Sequence, residues 1–300
     1  MNAFFDNLKN AFNRPNYELY QIIYVTAVFC IGQAVLYLLF GQNEPESTYK
    51  EIMKYIGVSA NTSVFFYRPW TIFTYMLPHA DIFHVFFNML ILYYFGQLVV
   101  EYLGSRKLLV IYILGGITGA LFYILAYNFI PFYENRVETS LMIGASGGVL
   151  AAVAAAATLL PNFTFYLIFL GPVKIKYIAI FYAVLSMITI QGSNAGGELA
   201  HLGGLTFGFL YIKQLQQGND IGKWFSVFLD WLQGLFSKQS NIKVSYRSGK
   251  SEKKSRTTSK DSSDKASQEE IDLILDKISE SGYDSLSKEE KRKLFEASKK

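Results

Sequence analysis

The sequence predicts an all-α polytopic membrane protein whose helices form a bundle of six, and three observations support this fold class. Hydrophobic residues make up 51% of the 300 residues and charged residues only 17%, which is less charge than a soluble domain normally carries. The apolar residues fall into six runs close to membrane-spanning length. The loops between these runs alternate between basic and acidic character, as the loops of multi-pass membrane proteins do.

The six expected spans follow one another along the first two thirds of the chain. A helix needs roughly 20 predominantly apolar residues to cross a bilayer, and the runs that approach this length are 19–40, 82–103, 108–130, 143–160, 177–190 and 194–215. The fourth run is rich in alanine and is closed by Pro161. The fifth is the least well defined, because it reaches spanning length only by including residues 165–170 or its flanks. Five or seven spans are the alternatives.

Charged residues in the loops predict the orientation of the spans. One set of loops carries the basic residues Lys9, Arg14, Arg106, Lys107, Lys174, Lys176, Lys213 and Lys223. The other set carries glutamates beside few basic residues, namely Glu44, Glu46, Glu51, Glu134, Glu138, Glu198, Lys50, Lys54, Arg68 and Arg136. Because basic loops stay on the cytoplasmic side, both termini are expected in the cytoplasm. The chain begins without the features of a cleaved signal peptide, so the first span would direct insertion.

The chain has only three histidines, and they fall where one site could use them. His79 and His84 stand at the start of the second span, His201 lies in the sixth, and Ser146 begins the fourth among glycines and alanines. A serine and a histidine on separate apolar segments suggest a nucleophile and its base. The second, fourth and sixth spans would enter from the outer face, which puts Ser146, His201, His84 and Asn88 about 5–12 Å below that surface.

Each of these residue types has a role in peptide cleavage. His201 would take the proton of the Ser146 hydroxyl. His84 and Asn88 are spaced i, i+4, so they share one helix face and can both donate to the oxyanion of a tetrahedral intermediate. The Ser146 backbone N–H, in the first turn of its helix, would add a further donor. No acidic residue is expected to be well placed to complete a triad at this depth, so the site is interpreted as a Ser–His dyad.

Small residues accompany both halves of the predicted site. Ser146 stands in Gly144-Ala145-Ser146-Gly147-Gly148, and Gly204 and Gly208 form a GxxxG pair just after His201. Small-xxx-small surfaces let transmembrane helices approach closely, as a Ser–His hydrogen bond requires. The alternative is helix packing without catalysis.

Other functions fit the sequence less well. Metal binding by the three histidines is disfavoured, because His79 and His84 would diverge by more than about 100° on a helix; no metal and no cofactor are expected. A transporter would need polar residues along a path through the bundle, whereas here they cluster near one face. Nucleic-acid binding is not expected, because the net charge of +4 is small and mixed in sign.

Over about residues 55–215 the pattern resembles the rhomboid family of intramembrane serine proteases. Beyond the serine and histidine motifs, Arg68-Pro69-Trp70 resembles the Trp-Arg region of that family's first loop, and Gly115-Gly116-Ile117-Thr118-Gly119 its glycine-rich third span. The resemblance implies a six-transmembrane-helix rhomboid-like bundle with a first loop partly embedded in the outer leaflet. It also implies a multi-pass protein of a bacterial cell membrane.

The resemblance assigns roles to four residues. Ser146 becomes the nucleophile, His201 the general base and acid, and His84 and Asn88 the oxyanion side chains. Substrates would be single-span membrane proteins cut near the outer face at small side chains and helix-destabilising sequence. The alternative is a catalytically silent rhomboid-like protein that binds membrane proteins.

Three further residues accompany the predicted site. Leu150 stands where many members of the family have an aromatic ring that stacks on the catalytic histidine. Tyr75 stands where some members have a histidine that does not react. His79 is expected to be a structural loop or cap residue, with substrate contact as the alternative.

The two ends of the chain differ from the predicted membrane domain of residues 19–215. Residues 1–18 are expected to form an interfacial segment, and residues 219–237 an amphipathic helix with Trp224, Phe228 and Trp231 on one face. Residues 238–266 are polar and predict a disordered linker. Residues 267–300 predict a short helical hairpin that resembles an appendage of some bacterial rhomboids and could bind a cytoplasmic partner.

Overall fold

The computed structural model describes residues 17–41, 47–167, 169–236, 268–281 and 286–297. The chain falls into two units, residues 1–240 and 241–300. The interfacial segment predicted within residues 1–18 lies almost entirely outside the described residues, and the linker predicted at 238–266 lies wholly outside them.

Helices make up most of the first unit, and short strands connect some of them. In chain order its elements are α1 (Glu18–Phe40), α2 (Thr48–Ile56), β1 (Val58–Ser59), α3 (Thr62–Tyr67), α4 (Thr71–Thr74), α5 (Ile82–Leu103), α6 (Ser105–Phe129), a 3₁₀ helix (Pro131–Arg136), β2 (Leu141–Met142), α7 (Ser146–Leu159), β3 (Thr164–Leu167), β4 (Gly171–Lys174), α8 (Ile175–Thr189), α9 (Ala195–Gln216) and α10 (Lys223–Phe236). Six of them, α1 and α5 to α9, correspond to the six predicted spans.

These six helices differ in their ability to cross a membrane alone. α1, α5 and α6 are long and apolar enough to do so by length and composition. α7 and α8 are apolar but have only 14 and 15 residues, and at about 1.5 Å per residue they are shorter than a bilayer core. α9 has 22 residues and carries Glu198 in its first turn and Lys213 in its last. The fold is that of an all-α polytopic membrane protein, as predicted.

Of residues 165–170, those that the structure describes do not extend the fifth span. β3 pairs with β4 in an antiparallel hairpin, with Thr164 opposite Lys174 and Leu167 opposite Gly171. Gly171 has a φ of 68°, a conformation that glycine adopts readily. Pro172 has no backbone N–H, so it disrupts a helix that would run through its position. Helix α8 therefore begins only at Ile175.

Helices α7 and α9 meet backbone to backbone. A Cβ atom placed on Gly204 would lie 2.0 Å from the Gly147 carbonyl oxygen, and one placed on Gly208 would lie 2.1 Å from the Ala151 oxygen. Residues 147–157 of α7 are all buried, so this helix runs through the interior of the bundle. The predicted GxxxG pair is thus confirmed as a surface of close helix approach.

Helix α10 has the amphipathic character predicted for residues 219–237. Phe225 is buried, whereas Trp224, Phe228 and Trp231 are exposed. Its Asp230 forms an ion pair with Arg106 at the start of α6. Its position at a membrane interface stays a prediction.

The second unit contains the helix pair predicted for the C-terminus. α11 (Gln268–Ser281) and α12 (Lys288–Ala297) are joined by ion pairs between Lys277 and Glu290 at 2.9 Å and between Lys293 and Glu270 at 3.2 Å. Such exposed pairs contribute little individually.

Candidate active site

Ser146 is the first residue of α7, and the chain before it is held in place by the first loop. β2 pairs with β1 in that loop, with Val58 opposite Met142. The Gly144 N–H donates to the Tyr75 carbonyl oxygen over 2.8 Å. Gly144 has a φ of 126°, which strains any residue with a side chain. A Cβ atom there would also lie 3.1 Å from the His84 Cε1 atom, so glycine lets the chain turn beside His84.

The His79 side chain contacts this turn, and Gln33 on α1 holds His79 in place. Its Nδ1 lies 3.1 Å from the Leu77 carbonyl oxygen, which can only accept, so Nδ1 carries the hydrogen. Its Nε2 is then free to accept the Ala145 N–H at 3.4 Å. The Gln33 side chain bonds to both the N–H and the carbonyl of His79, at 3.1 and 2.8 Å. These contacts agree with the structural loop role predicted for His79.

The expected divergence of His79 and His84 is wrong. Their ring centroids are 5.1 Å apart, edge to face. The helical geometry does not apply, because α5 begins only at Ile82 and His79 belongs to the loop that folds back over it.

His84 and Asn88 lie in the first two turns of α5. Asp81 caps this helix, since its side chain accepts the His84 N–H at 2.8 Å. Asn88 is buried, and its side-chain N–H donates to the His84 carbonyl oxygen at 2.8 Å. His84 is close enough to His201 for the two rings to interact electrostatically. The structure therefore brings His84 beside Gly144, just before α7, and near His201 of α9.

His201 lies on α9 beside the start of α7. A Cβ atom placed on Gly147 would lie 3.3 Å from the Ala200 carbonyl oxygen, so the chain neighbours of Ser146 and His201 are in contact. Both side chains are half-buried. In the described part of the chain no hydrogen bond joins the Ser146 hydroxyl to the His201 ring.

The expectation that no acidic residue is well placed beside the predicted base is wrong. Oε2 of Glu198 lies 3.1 Å from the His201 Nδ1 atom, and the Ser186 hydroxyl oxygen on α8 lies 3.2 Å from the same nitrogen. Glu198 was counted among the loop charges although it falls inside the predicted span 194–215, and the structure places it within α9, one turn before His201. The i, i+3 spacing was the available signal. Nothing in the sequence pointed to Ser186.

Leu150, the position where an aromatic ring was expected from the resemblance, is buried in α7. The polar partners of the His201 ring among the described residues approach its Nδ1 edge from α9 and α8.

Comparison with known proteins identifies two regions of the chain. A family described as the Rhomboid domain matches residues 67–217. A family of unknown function (DUF6576) matches residues 261–300, which cover the described helices α11 and α12.

Several curated proteins are similar to the first region. RHOMBOID-like protein 12, mitochondrial, of Arabidopsis thaliana is 29% identical over 161 residues, which make up 50% of this chain and 48% of that protein. The human presenilin-associated rhomboid-like protein, mitochondrial, is 29% identical over 140 residues, 45% of this chain and 35% of that protein. RHOMBOID-like protein 1 of Arabidopsis thaliana is 31% identical over 149 residues, 47% of this chain and 33% of that protein.

The chain thus spans about half or less of the length of these relatives. The Rhomboid domain match nevertheless covers half of the chain and includes all four predicted site residues, Ser146, His201, His84 and Asn88. The chain is therefore a multi-pass membrane protein that belongs to the rhomboid family.

Proposed function

We propose that this rhomboid protein is an intramembrane serine endopeptidase in which Ser146 is the nucleophile and His201 the general base and acid. The observation that carries the proposal is the contact between α7 and α9 at the chain neighbours of these two residues, with Gly147 against Ala200. This contact supports the proposal because it brings together the backbones next to a serine and a histidine inside a membrane-embedded bundle, where such a pair suggests a nucleophile and its base.

The proposed reaction proceeds in two steps. His201 takes the proton of the Ser146 hydroxyl as the serine oxygen attacks a substrate carbonyl carbon, and the protonated imidazole then gives that proton to the leaving amine. Water, activated by the same imidazole, releases the acyl group and restores the serine. The Ser146–His201 hydrogen bond forms when substrate is bound, since catalytic hydrogen bonds often tighten only at that stage.

His84 and Asn88 would donate to the oxyanion of the tetrahedral intermediate, together with the Ser146 backbone N–H. One N–H of the Asn88 amide already donates to the His84 carbonyl oxygen. The amide carries two N–H groups, so the second remains for the oxyanion. The present contact also holds the Asn88 side chain in one orientation, which favours a preorganised donor.

The substrates and the orientation are part of the same proposal. We expect single-span membrane proteins to be cut near the outer face. The distribution of basic loops predicts that both termini lie in the cytoplasm, and the starts of α5, α7 and α9 would then lie at the opposite side.

The resemblance of the C-terminal segment to an appendage of bacterial members supports a bacterial cell membrane as the location. A cytoplasmic partner of α11 and α12 fits this orientation.

Purified protein in liposomes, mixed with a single-span reporter protein, tests the function directly. We expect cleavage near one end of the reporter's transmembrane segment, and covalent attachment of a fluorophosphonate probe to Ser146 and to no other serine, located by peptide mass spectrometry. Binding of the reporter without cleavage or labelling would instead assign the chain to catalytically silent rhomboid-like binders.

Single substitutions of the oxyanion donors should affect the rate of the chemical step. We expect His84→Ala and Asn88→Ala each to lower kcat by about 10- to 1000-fold, because each removes a hydrogen bond that is strongest in the transition state. Steady-state cleavage in liposomes gives kcat and KM separately. A change confined to KM would make these residues substrate-positioning groups instead.

A further inference from the structure

The Nδ1 edge of the His201 ring faces a small polar cluster inside the bundle. Glu198 Oε2 lies 3.1 Å and the Ser186 hydroxyl oxygen 3.2 Å from Nδ1. The side chains of His201 and Glu198 are only 19% and 15% exposed, and Ser186 is 1% exposed. The Glu198 carboxylate also interacts with the hydroxyls of Ser186 and Thr189, so α8 and α9 both contribute to the cluster.

We infer that Glu198, supported by Ser186, is a positioning residue that keeps the hydrogen of His201 on Nδ1 and its Nε2 free. The inference rests on the proposed function, because the free Nε2 matters only if His201 is the base. It replaces the predicted Ser–His dyad by an arrangement in which a carboxylate orients the histidine.

The chemistry follows from what each group can donate. An ionised carboxylate only accepts hydrogen bonds, so a neutral His201 must present Nδ1–H to Glu198. The lone pair then resides on Nε2, the nitrogen that can take the serine proton. When the imidazole becomes positively charged during the reaction, the same carboxylate stabilises that charge. The shielded location strengthens this interaction compared with water.

Ser186 contacts both the Glu198 carboxylate and the His201 ring. Its hydroxyl can donate to Glu198 while its oxygen lies beside Nδ1, so it contacts both groups at once. His84 on α5 is a further titratable group that interacts with His201. A histidine supplies no negative charge, so Glu198 is the anion of this cluster among the described residues.

A purely structural role of Glu198 is the competing explanation, and the experiment must separate the two. An acidic side chain in the first turn of a helix interacts favourably with the helix dipole, and α9 has Glu198 in that turn. Such a role would affect folding but not the tautomer of His201. The tautomer is therefore the decisive measurement.

The experiment compares Glu198→Gln and Ser186→Ala with Glu18→Gln in the full chain. Glu18 is a matched control, because it is a half-buried carboxylate in the first turn of a membrane helix that also bonds to a serine, Ser105. It lies 15 residues, about 22 Å along α1, from the Gln33 side chain that contacts the site. Each variant is assayed for kcat and KM in liposomes and for folding by thermal melting in detergent.

Nitrogen-15 NMR of histidine-labelled protein reports the tautomer, and the three histidines make the spectrum simple enough to assign with His201→Asn. We expect His201 to carry its hydrogen on Nδ1 in the unsubstituted protein and in Glu18→Gln. In Glu198→Gln the side chain offers Nδ1 both an N–H donor and a carbonyl acceptor, so the preference for Nδ1–H should weaken and the fraction of the Nε2–H tautomer should rise. We expect kcat to fall by about 100-fold with little change in KM, and Ser186→Ala to cause a smaller change in the same direction.

Three results would overturn the inference. The first is an unchanged kcat in Glu198→Gln, the second an unchanged tautomer despite a lower kcat, and the third an Nε2–H tautomer in the unsubstituted protein. If Glu198→Gln does not fold, Ser186→Ala decides by the same criteria. Failure of the proposed function looks different, since Ser146 would then escape labelling by the fluorophosphonate probe whatever happens at Glu198.

Discussion

Alanine at either Ser146 or His201 is expected to lower the rate of substrate cleavage by at least about 10 000-fold while leaving the protein folded and inserted. Removing the nucleophile eliminates the covalent step, and removing the base leaves a hydroxyl that is a poor nucleophile at neutral pH. Because the two groups act as a unit, the double variant should be no worse than either single variant.

Cleavage of a single-span reporter in liposomes measures this effect, and thermal melting in detergent checks the fold. Ser63→Ala is a suitable control, since Ser63 is an exposed serine in the first loop and its removal should leave the rate unchanged. Cleavage by Ser146→Ala at a substantial fraction of the normal rate would contradict the assignment of the nucleophile.

The second large effect is expected at the contact between α7 and α9. A Cβ atom on Gly204 would lie 2.0 Å from the Gly147 carbonyl oxygen, which is backbone and cannot rotate away. Gly204→Ala must therefore separate the two helices, and we expect a loss of about 1–3 kcal/mol in the free energy of unfolding. The same displacement moves His201 relative to Ser146, so cleavage should fall by about 100-fold.

Gly32→Ala provides the matched comparison. Gly32 lies within helix α1 like Gly204 in α9, but in the described part of the chain nothing beyond its own local helix backbone lies within 4 Å of the position of its Cβ. Both substitutions gain the helix propensity of alanine, so only the packing differs. Unfolding in mixed micelles should show Gly32→Ala to be at least as stable as the unsubstituted protein. Equal stability of the two variants would mean that the helices of this bundle tolerate separation.

Much of the membrane architecture could be predicted from the order of residues. Apolar runs predicted the helices that begin at Glu18, Ile82 and Ser105, because a long run of apolar residues in a membrane has few alternatives to a helix. The sequence was a poorer guide to α8, since the neighbouring residues 165–170 are equally apolar. Their hairpin depends on Gly171 and Pro172, two residues whose backbone properties hydrophobicity does not report.

The candidate site was predicted in part. The types and spacing of Ser146, His201, His84 and Asn88 indicated a common site, and close packing around Gly204 could be expected from its small neighbours. The partners of the His201 Nδ1 atom were missed. Glu198 was counted among the loop charges although it lies inside the predicted span 194–215, three residues before His201. Ser186 lies on a different helix, and no sequence pattern specifies which face of that helix turns toward His201.

The sequence by itself determined the membrane-spanning class of this protein and indicated the set of candidate site residues, because both follow from composition and from the types and spacing of residues along the predicted helices. Only the tertiary structure decided which face of α8 meets α9, that the His79 loop folds back onto α5, and that β1 joins the strand before Ser146. Each of these depends on contacts between segments far apart in the chain. The energies of those contacts come from the fit of surfaces and from hydrogen bonds that local patterns do not encode.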